Sequence, residues 1–232
     1  MCGRYGRTTP AAVFAEMIEA RLSDRLDTQP NFNVAPGLFH PIALRSPSDH
    51  SLVVGPAWWG FTPKWARDTK IQPVNARSES APEKPMFKKA FRHQRCAIPL
   101  DWWIEWHRGE SVKQPYAIRP TQAATDTPGE SPFFLAGLWS KAGDIEGFEG
   151  SGEVTYTILT KAPHTDIADI HNRQPVALPL DELRVWLSDD PSIDDLNAIV
   201  DRGGFSGYES WPISRRVGNV ANNDPGLIEP VS

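Results

Sequence analysis

Seven short runs of β-branched, aromatic and aliphatic residues set the terms on which this chain can fold. They lie at 41–44, 52–58, 96–99, 102–106, 116–119, 133–139 and 154–159, and Pro, Gly or polar residues interrupt the chain between them. Each is long enough for one strand and too short for an independent helix. Two stretches rich in Gly, Ser, Thr and Glu, 121–131 and 141–152, read as surface loops between strands. Helical spacing occurs elsewhere. Thr9-Pro10 is a helix start, with Pro at the first helical position, and Val13, Phe14, Met17, Ile18 and Leu22 extend a helix over about 10–25. Two later helices are expected at 180–188 and 191–202, with Asp181 and Ser192 or Asp190 as caps. The expected fold is a single α+β domain over 1–232, a mostly antiparallel, barrel-like sheet system with flanking helices.

The 232 residues can bury a core without disulfides or a structural metal. The two cysteines, Cys2 and Cys96, form no C-x-x-C motif, and the six histidines show no ligand spacing with them. No metal and no cofactor is therefore expected. No apolar run approaches a membrane span, and a monomer in a reducing cytoplasm is the expected setting. Net charge is −5, yet residues 64–95 hold nine Lys/Arg against three acids, while 144–202 hold thirteen acids against four Lys/Arg. A basic face on an acidic body is the footprint of a phosphate-backbone track, although a solvated face gives the same pattern.

Position 2 has its own chemistry. Removal of Met1 would leave Cys2 as a terminal aminothiol, whose amine and thiol have reference pKa values of roughly 8 and 8.5. Both are then partly reactive near neutral pH. The amine condenses with an aldehyde to an imine, and the thiol closes a five-membered thiazolidine. An internal cysteine, whose nitrogen is an amide, cannot do this. Cys96 reads as a buried strand residue.

Several motifs follow Met1-Cys2-Gly3-Arg4-Tyr5 in order: Asn33-Val34-Ala35-Pro36-Gly37, Trp59-Gly60-Phe61-Thr62-Pro63-Lys64-Trp65 and Asn75-Ala76-Arg77-Ser78-Glu79. Arg95-Cys96-Ala97-Ile98-Pro99 runs into Trp103-Ile104-Glu105-Trp106, and Thr160-Lys161-Ala162 leads to Ile170-His171-Asn172-Arg173-Gln174-Pro175. The tail carries Pro212-Ile213-Ser214 and Val217-Gly218-Asn219. The ordered set resembles the SOS-response-associated peptidase (SRAP) family, abasic-site shielding proteins of bacteria and eukaryotes.

The resemblance implies a function and a site. Cys2 would be the nucleophile that captures the aldehyde of an abasic site in single-stranded DNA. Asn75 would hold the Cys2 amine or the opened sugar. Glu105 would be the acid/base carboxyl, desolvated by Trp102, Trp103, Ile104 and Trp106, and His171 would handle the sugar hydroxyl or imine proton. Arg4, Arg77, Arg173 and Thr160 would contact phosphates, with Pro36 and Trp65 against bases beside the lesion. On residue pattern alone, Glu105 also fits a solvated strand carboxylate, Asn75 a turn cap and His171 a satisfied loop histidine. The chain departs from its relatives at Ala66, where some have a second Trp, and at Asn172, where Asp is usual. The alternative activity is a cysteine peptidase with the Cys2 thiol attacking a carbonyl.

Overall fold

Strand β1 (Tyr5–Arg7), helix α1 (Ala11–Met17) and strands β2 (Arg21–Leu22), β3 (Asn31–Val34), β4 (Phe39–Arg45), β5 (Leu52–Trp59) and β6 (Asn75–Arg77) open the chain. Helix α2 (Lys88–His93) leads into β7 (Arg95–Leu100), β8 (Trp102–Arg108), β9 (Lys113–Pro120), β10 (Phe133–Lys141) and β11 (Val154–Lys161). The short β12 (Gln174–Pro175) and β13 (Ala177–Leu178), helices α3 (Leu180–Trp186) and α4 (Ile193–Arg202), and β14 (Tyr208–Pro212) complete it. The computed structural model describes residues 2–26, 29–108, 113–121, 132–202 and 204–231. The expected loop at 121–131 therefore lies almost entirely outside the described residues.

Five of the seven apolar runs close on themselves. β5, β4, β7, β10 and β11 pair as antiparallel neighbours in that order, and a parallel pairing of β11 with β5 completes the ring. Closure removes the exposed edges that an open sheet would have to protect. The other two runs, β8 and β9, belong to a second sheet of order β14-β9-β8-β1-β3.

Alternation along the barrel strands explains why both faces are apolar. Phe134, Ala136 and Leu138 face one way, into a cluster with Phe14 of α1, Phe91 of α2, Trp186 of α3 and Leu196 of α4. Phe133 and Leu135 face the other way, with Ile98, Tyr156 and Trp59, and meet Cys2, Tyr5 and Trp103 from the second sheet. The helices thus coat the barrel exterior, and the second sheet reaches its interior cluster through the N-terminal segment. Within the second sheet Gly6 lies opposite Trp102, and a Cβ there would lie 2.1 Å from Cε2 of that indole.

Three expectations need correction. Pro10 is the N-cap of α1, one position before the first helical residue. The helix ends at Met17, well short of residue 25. Its C-terminus is a Schellman turn in which Glu19 N–H donates to Glu16 O (3.1 Å) and Ala20 N–H to Ala15 O (2.8 Å). Glu19 takes the left-handed position, at φ 54°, that Gly usually fills. Leu22, counted as a helical repeat, is half-exposed in β2 beside β5. At the later helices, the Ser192 hydroxyl caps α4 by accepting from Asp195 N–H at 3.0 Å, but Asp181 lies inside the first turn of α3 and does not cap it.

Candidate functional site

The N-terminal segment reaches β1 by crossing the seam between barrel and second sheet. Cys2 is 0% exposed there. Its carbonyl accepts a 2.8 Å hydrogen bond from Nδ2 of Asn75. Asn75 opens β6, which is held parallel to β11 with Asn75 opposite Ile158. Oδ1 of Asn75 is buried and accepts no hydrogen bond among the described residues. A buried acceptor left open beside a nucleophile suits a donor that arrives with the substrate.

Arg4 secures the same segment. Its Nη1 donates to Oδ1 of Asn33 (2.8 Å) and to the Val217 carbonyl (2.9 Å), and its guanidinium carbon lies 6.0 Å from the Trp106 ring centroid. Asn33 in turn donates to the carbonyls of Asn219 (3.0 Å) and Asn222 (2.9 Å). The Asn33 and Val217-Gly218-Asn219 motifs therefore meet at one anchor for the segment that carries Cys2.

Glu105 projects from β8, whose register is set by Tyr5 opposite Trp103 and by Tyr116 opposite Glu105. It is 2% exposed, and burial pushes its carboxyl up to about 7. The four flanking residues do not all supply that burial. Successive strand residues face opposite ways, so Trp103 shares the Glu105 face, while Trp102 and Ile104 pack with Ile213 and Leu227 on the reverse. The carboxyl sits instead beside the N-terminal segment.

Reference values also mislead for Cys2. Burial first, and the nearby Glu105 charge second, raise its thiol well above the usual cysteine range. The thiol is held protonated at neutral pH rather than partly ionised.

His171 follows a 3-10 turn at Thr165–Ile167, and its N–H donates to Ile167 O at 3.3 Å. Nε2 lies 3.9 Å from Oε2 of Glu105, close enough for charge pairing and long for a hydrogen bond. Nδ1 faces both backbone groups of Arg173, the N–H at 3.0 Å and the carbonyl at 3.1 Å. The neutral Nε2–H tautomer accepts from the N–H, and the imidazolium donates to the carbonyl. Both protonation states keep a partner. The structure thus gathers Cys2, Asn75, Glu105 and His171 from four distant parts of the chain.

The expected DNA contacts are placed unevenly. Trp65 is 64% exposed, Arg77 is exposed on β6, and Pro36 is half-buried beside an exposed Gly37 and Leu38. Arg173 is already engaged: Nη1 and Nη2 bond the two oxygens of Glu79 at 2.6 and 2.8 Å, and Nη2 also reaches the Thr160 carbonyl. The arginine holds the Glu79 carboxyl below its usual range. Thr160 is 1% exposed and its hydroxyl donates to Ala76 O at 3.4 Å, so it presents no free hydroxyl to solvent. Arg95 does not belong to a basic face. It is buried and donates to the carbonyls of Trp186 and Ser188, both at 2.8 Å, and to Arg92, closing the ends of α2 and α3. The Glu79 clamp was not expected, although an acid two residues after Arg77 was its available sign.

Among the described residues, no group of three His, Cys, Asp or Glu side chains could hold a metal ion. No helix there is long and apolar enough to cross a membrane.

Barrel, second sheet and buried N-terminal cysteine together define the class. The chain belongs to the SOS response associated peptidase (SRAP) family, whose sequence model matches residues 1–220. It is 32% identical to the abasic site processing protein YedK of Escherichia coli (strain K12), over 100% of both chains. It is 33% identical to the abasic site processing protein YoqW of Bacillus subtilis (strain 168), over 99% of each. It is also 29% identical to the abasic site processing protein HMCES of Xenopus tropicalis, over 88% of this chain and 67% of that protein. The fold matches a crystal structure of a Bacteroides thetaiotaomicron protein at TM-score 0.82 and 22% identity, covering 100% of each.

Proposed function

We propose that this protein captures abasic sites in single-stranded DNA by forming a thiazolidine between Cys2, once Met1 is removed, and the sugar aldehyde. The observation that carries the reading is the convergence on Cys2 of Asn75, which holds its carbonyl, and the pair of buried Glu105 and half-buried His171. Abasic site processing proteins among its relatives support the same reading.

The sugar is mostly a closed hemiacetal. Glu105, titrating near 7, is suited to take the anomeric hydroxyl proton and return a proton to the ring oxygen, releasing the aldehyde. The α-amine of Cys2 adds to the aldehyde carbon, and loss of one water leaves the imine. His171, whose Nε2 is 3.9 Å from Glu105, would supply the proton that departs with that water. The thiol then adds to the imine carbon, and its proton passes to the nitrogen. Aldehyde and aminothiol become thiazolidine and water, with no oxidant or reductant. A protonated, buried thiol fits this order, in which the amine acts first, and does not suit peptide hydrolysis by a ready thiolate.

The phosphate contacts expected of Arg4, Arg77 and Arg173, and the base contacts of Pro36 and Trp65, complete the reading; the Thr160 hydroxyl, committed to Ala76 O, is left out of it. Binding would be largely independent of sequence, by a monomer. The test is intact mass after mixing the processed protein with an oligonucleotide bearing one abasic site. The expected product is protein plus DNA less one water, absent for Cys2→Ala and for Cys2→Ser. A stable adduct with Cys2→Ala, or with Met1 retained, overturns the mechanism.

A further inference from the structure

An open pocket of about 380 Å³ lies beyond Arg173 along the same edge, lined by Ser78, Lys161, His164, Gln174, Phe205 and Tyr208 among others. Gln174 is the next residue after Arg173 and pairs with Lys161 across β12 and β11. Glu79, the carboxylate clamped by Arg173, forms part of its rim. His171 and Gln174 are three residues apart in sequence, a separation of at most about 11 Å. The pocket is therefore within reach of a nucleotide next to one seated at His171.

Its chemistry is that of a heteroaromatic ring site. The His164 and Tyr208 rings meet at 5.5 Å and 60°, with Phe205 beside them. The Gln174 amide is fixed, its oxygen accepting from His164 N–H at 2.5 Å. Ser78 is 1% exposed, and its hydroxyl makes no hydrogen bond among the described residues. A buried hydroxyl without a partner at a pocket wall gains one when a polar ligand edge arrives. Lys161 and Arg202 balance Glu79 and Asp201 around the opening, which suits a neutral ring better than a free dianion. Gly204, at φ 129°, packs against Tyr208, where a Cβ would lie 2.7 Å from the hydroxyl.

We infer that this pocket takes the base of a nucleotide flanking the abasic residue, turned out of the strand. The ring lies against His164, Tyr208 and Phe205, and its polar edge meets Ser78 and Gln174. The inference rests on the proposed function and gives it a base-holding subsite. Such a subsite needs a base and tolerates different ones, because aromatic faces accept any of them.

The experiment uses single-stranded oligonucleotides with a tetrahydrofuran residue, which has no aldehyde, as the lesion. The neighbour on one side or the other is either a normal nucleotide or a second, baseless spacer. Removing the base on one side is expected to weaken wild-type binding roughly tenfold, the scale of one stacked base. In Ser78→Ala and Lys161→Gln that dependence should shrink, with folding checked by thermal melting. Equal affinity with and without either neighbouring base overturns the inference, as does an undiminished dependence in both variants. Adduct formation at Cys2 with true abasic DNA is measured alongside. A normal adduct without base dependence removes only the subsite, whereas base dependence without any adduct keeps the subsite and removes the covalent reading.

Discussion

The side-chain amide of Asn75 donates to the carbonyl of Cys2 at 2.8 Å, so the N-terminal segment is tied to β6, which pairs with β11 of the barrel. Asn75→Ala is expected to leave that carbonyl without its partner and let Cys2 shift. A displacement of about 1 Å can cost roughly 10²-fold in rate. Single-turnover cross-linking should slow on that scale while affinity for tetrahydrofuran DNA stays near wild type. An unchanged rate would make the bond structural only.

Glu105 ties stability to pH with a definite sign. Its folded pKa of about 7 lies above the ordinary 4.5. The folded state therefore binds the proton more tightly, and its contribution, complete below about 4.5, is lost as pH rises through 7. Glu105→Gln removes the titration. Relative to wild type, the variant should gain on the order of 3 kcal/mol between acid and alkaline pH, read by urea unfolding at both. A pH-independent difference would contradict a raised carboxyl pKa.

The same substitution should slow cross-linking by about 10²–10⁴-fold, the usual range for a lost acid/base group. His171→Ala should instead shift the balance among adduct, reversal and strand cleavage. Gel and mass analysis across a neutral pH range separates the two. Wild-type kinetics in Glu105→Gln would remove the carboxyl from the mechanism.

Arg173 cannot serve Glu79 and a phosphate equally well. Glu79→Gln is expected to tighten single-stranded DNA binding by freeing the guanidinium. Arg173→Ala should weaken it and flatten the slope of log K against log salt by roughly 0.7. Fluorescence anisotropy over a salt series decides. Weaker binding by Glu79→Gln would recast the carboxylate as the group that aims Arg173 at DNA.

Gly6→Ala should destabilise the fold by about 1–3 kcal/mol or more, because its Cβ would meet the Trp102 indole. Trp102→Leu in the same chain should recover part of the loss in urea unfolding. An additive loss would exclude the clash as the cause.

All seven strand runs were legible because each gathers β-branched, aromatic and aliphatic residues between turn-forming ones. β6 was not: three residues gain their pairing only when β11 lies beside them, a contact about eighty residues away in sequence. The end of α1 was missed because Glu19, rather than Gly, takes the left-handed turn. At the candidate site, the ordered motifs single out Cys2, Asn75, Glu105 and His171, but spacing does not bring them together, since each arrives on a separate segment. What the motifs did not carry was charge bookkeeping. Arg173 is spent on Glu79 and Arg95 on the ends of two helices, and only coordinates distinguish a solvated cation from a structural one.

Complete burial of Cys2 has a bearing on what this protein ignores. A thiol that is both neutral and out of reach is a poor target for peroxide and for stray electrophiles. Under the proposed chemistry, the aldehyde is admitted because a polynucleotide carries it in, with its phosphates and neighbouring bases docked outside. Discrimination then resides in entry, and the reactive end stays unspent until a damaged strand delivers its lesion.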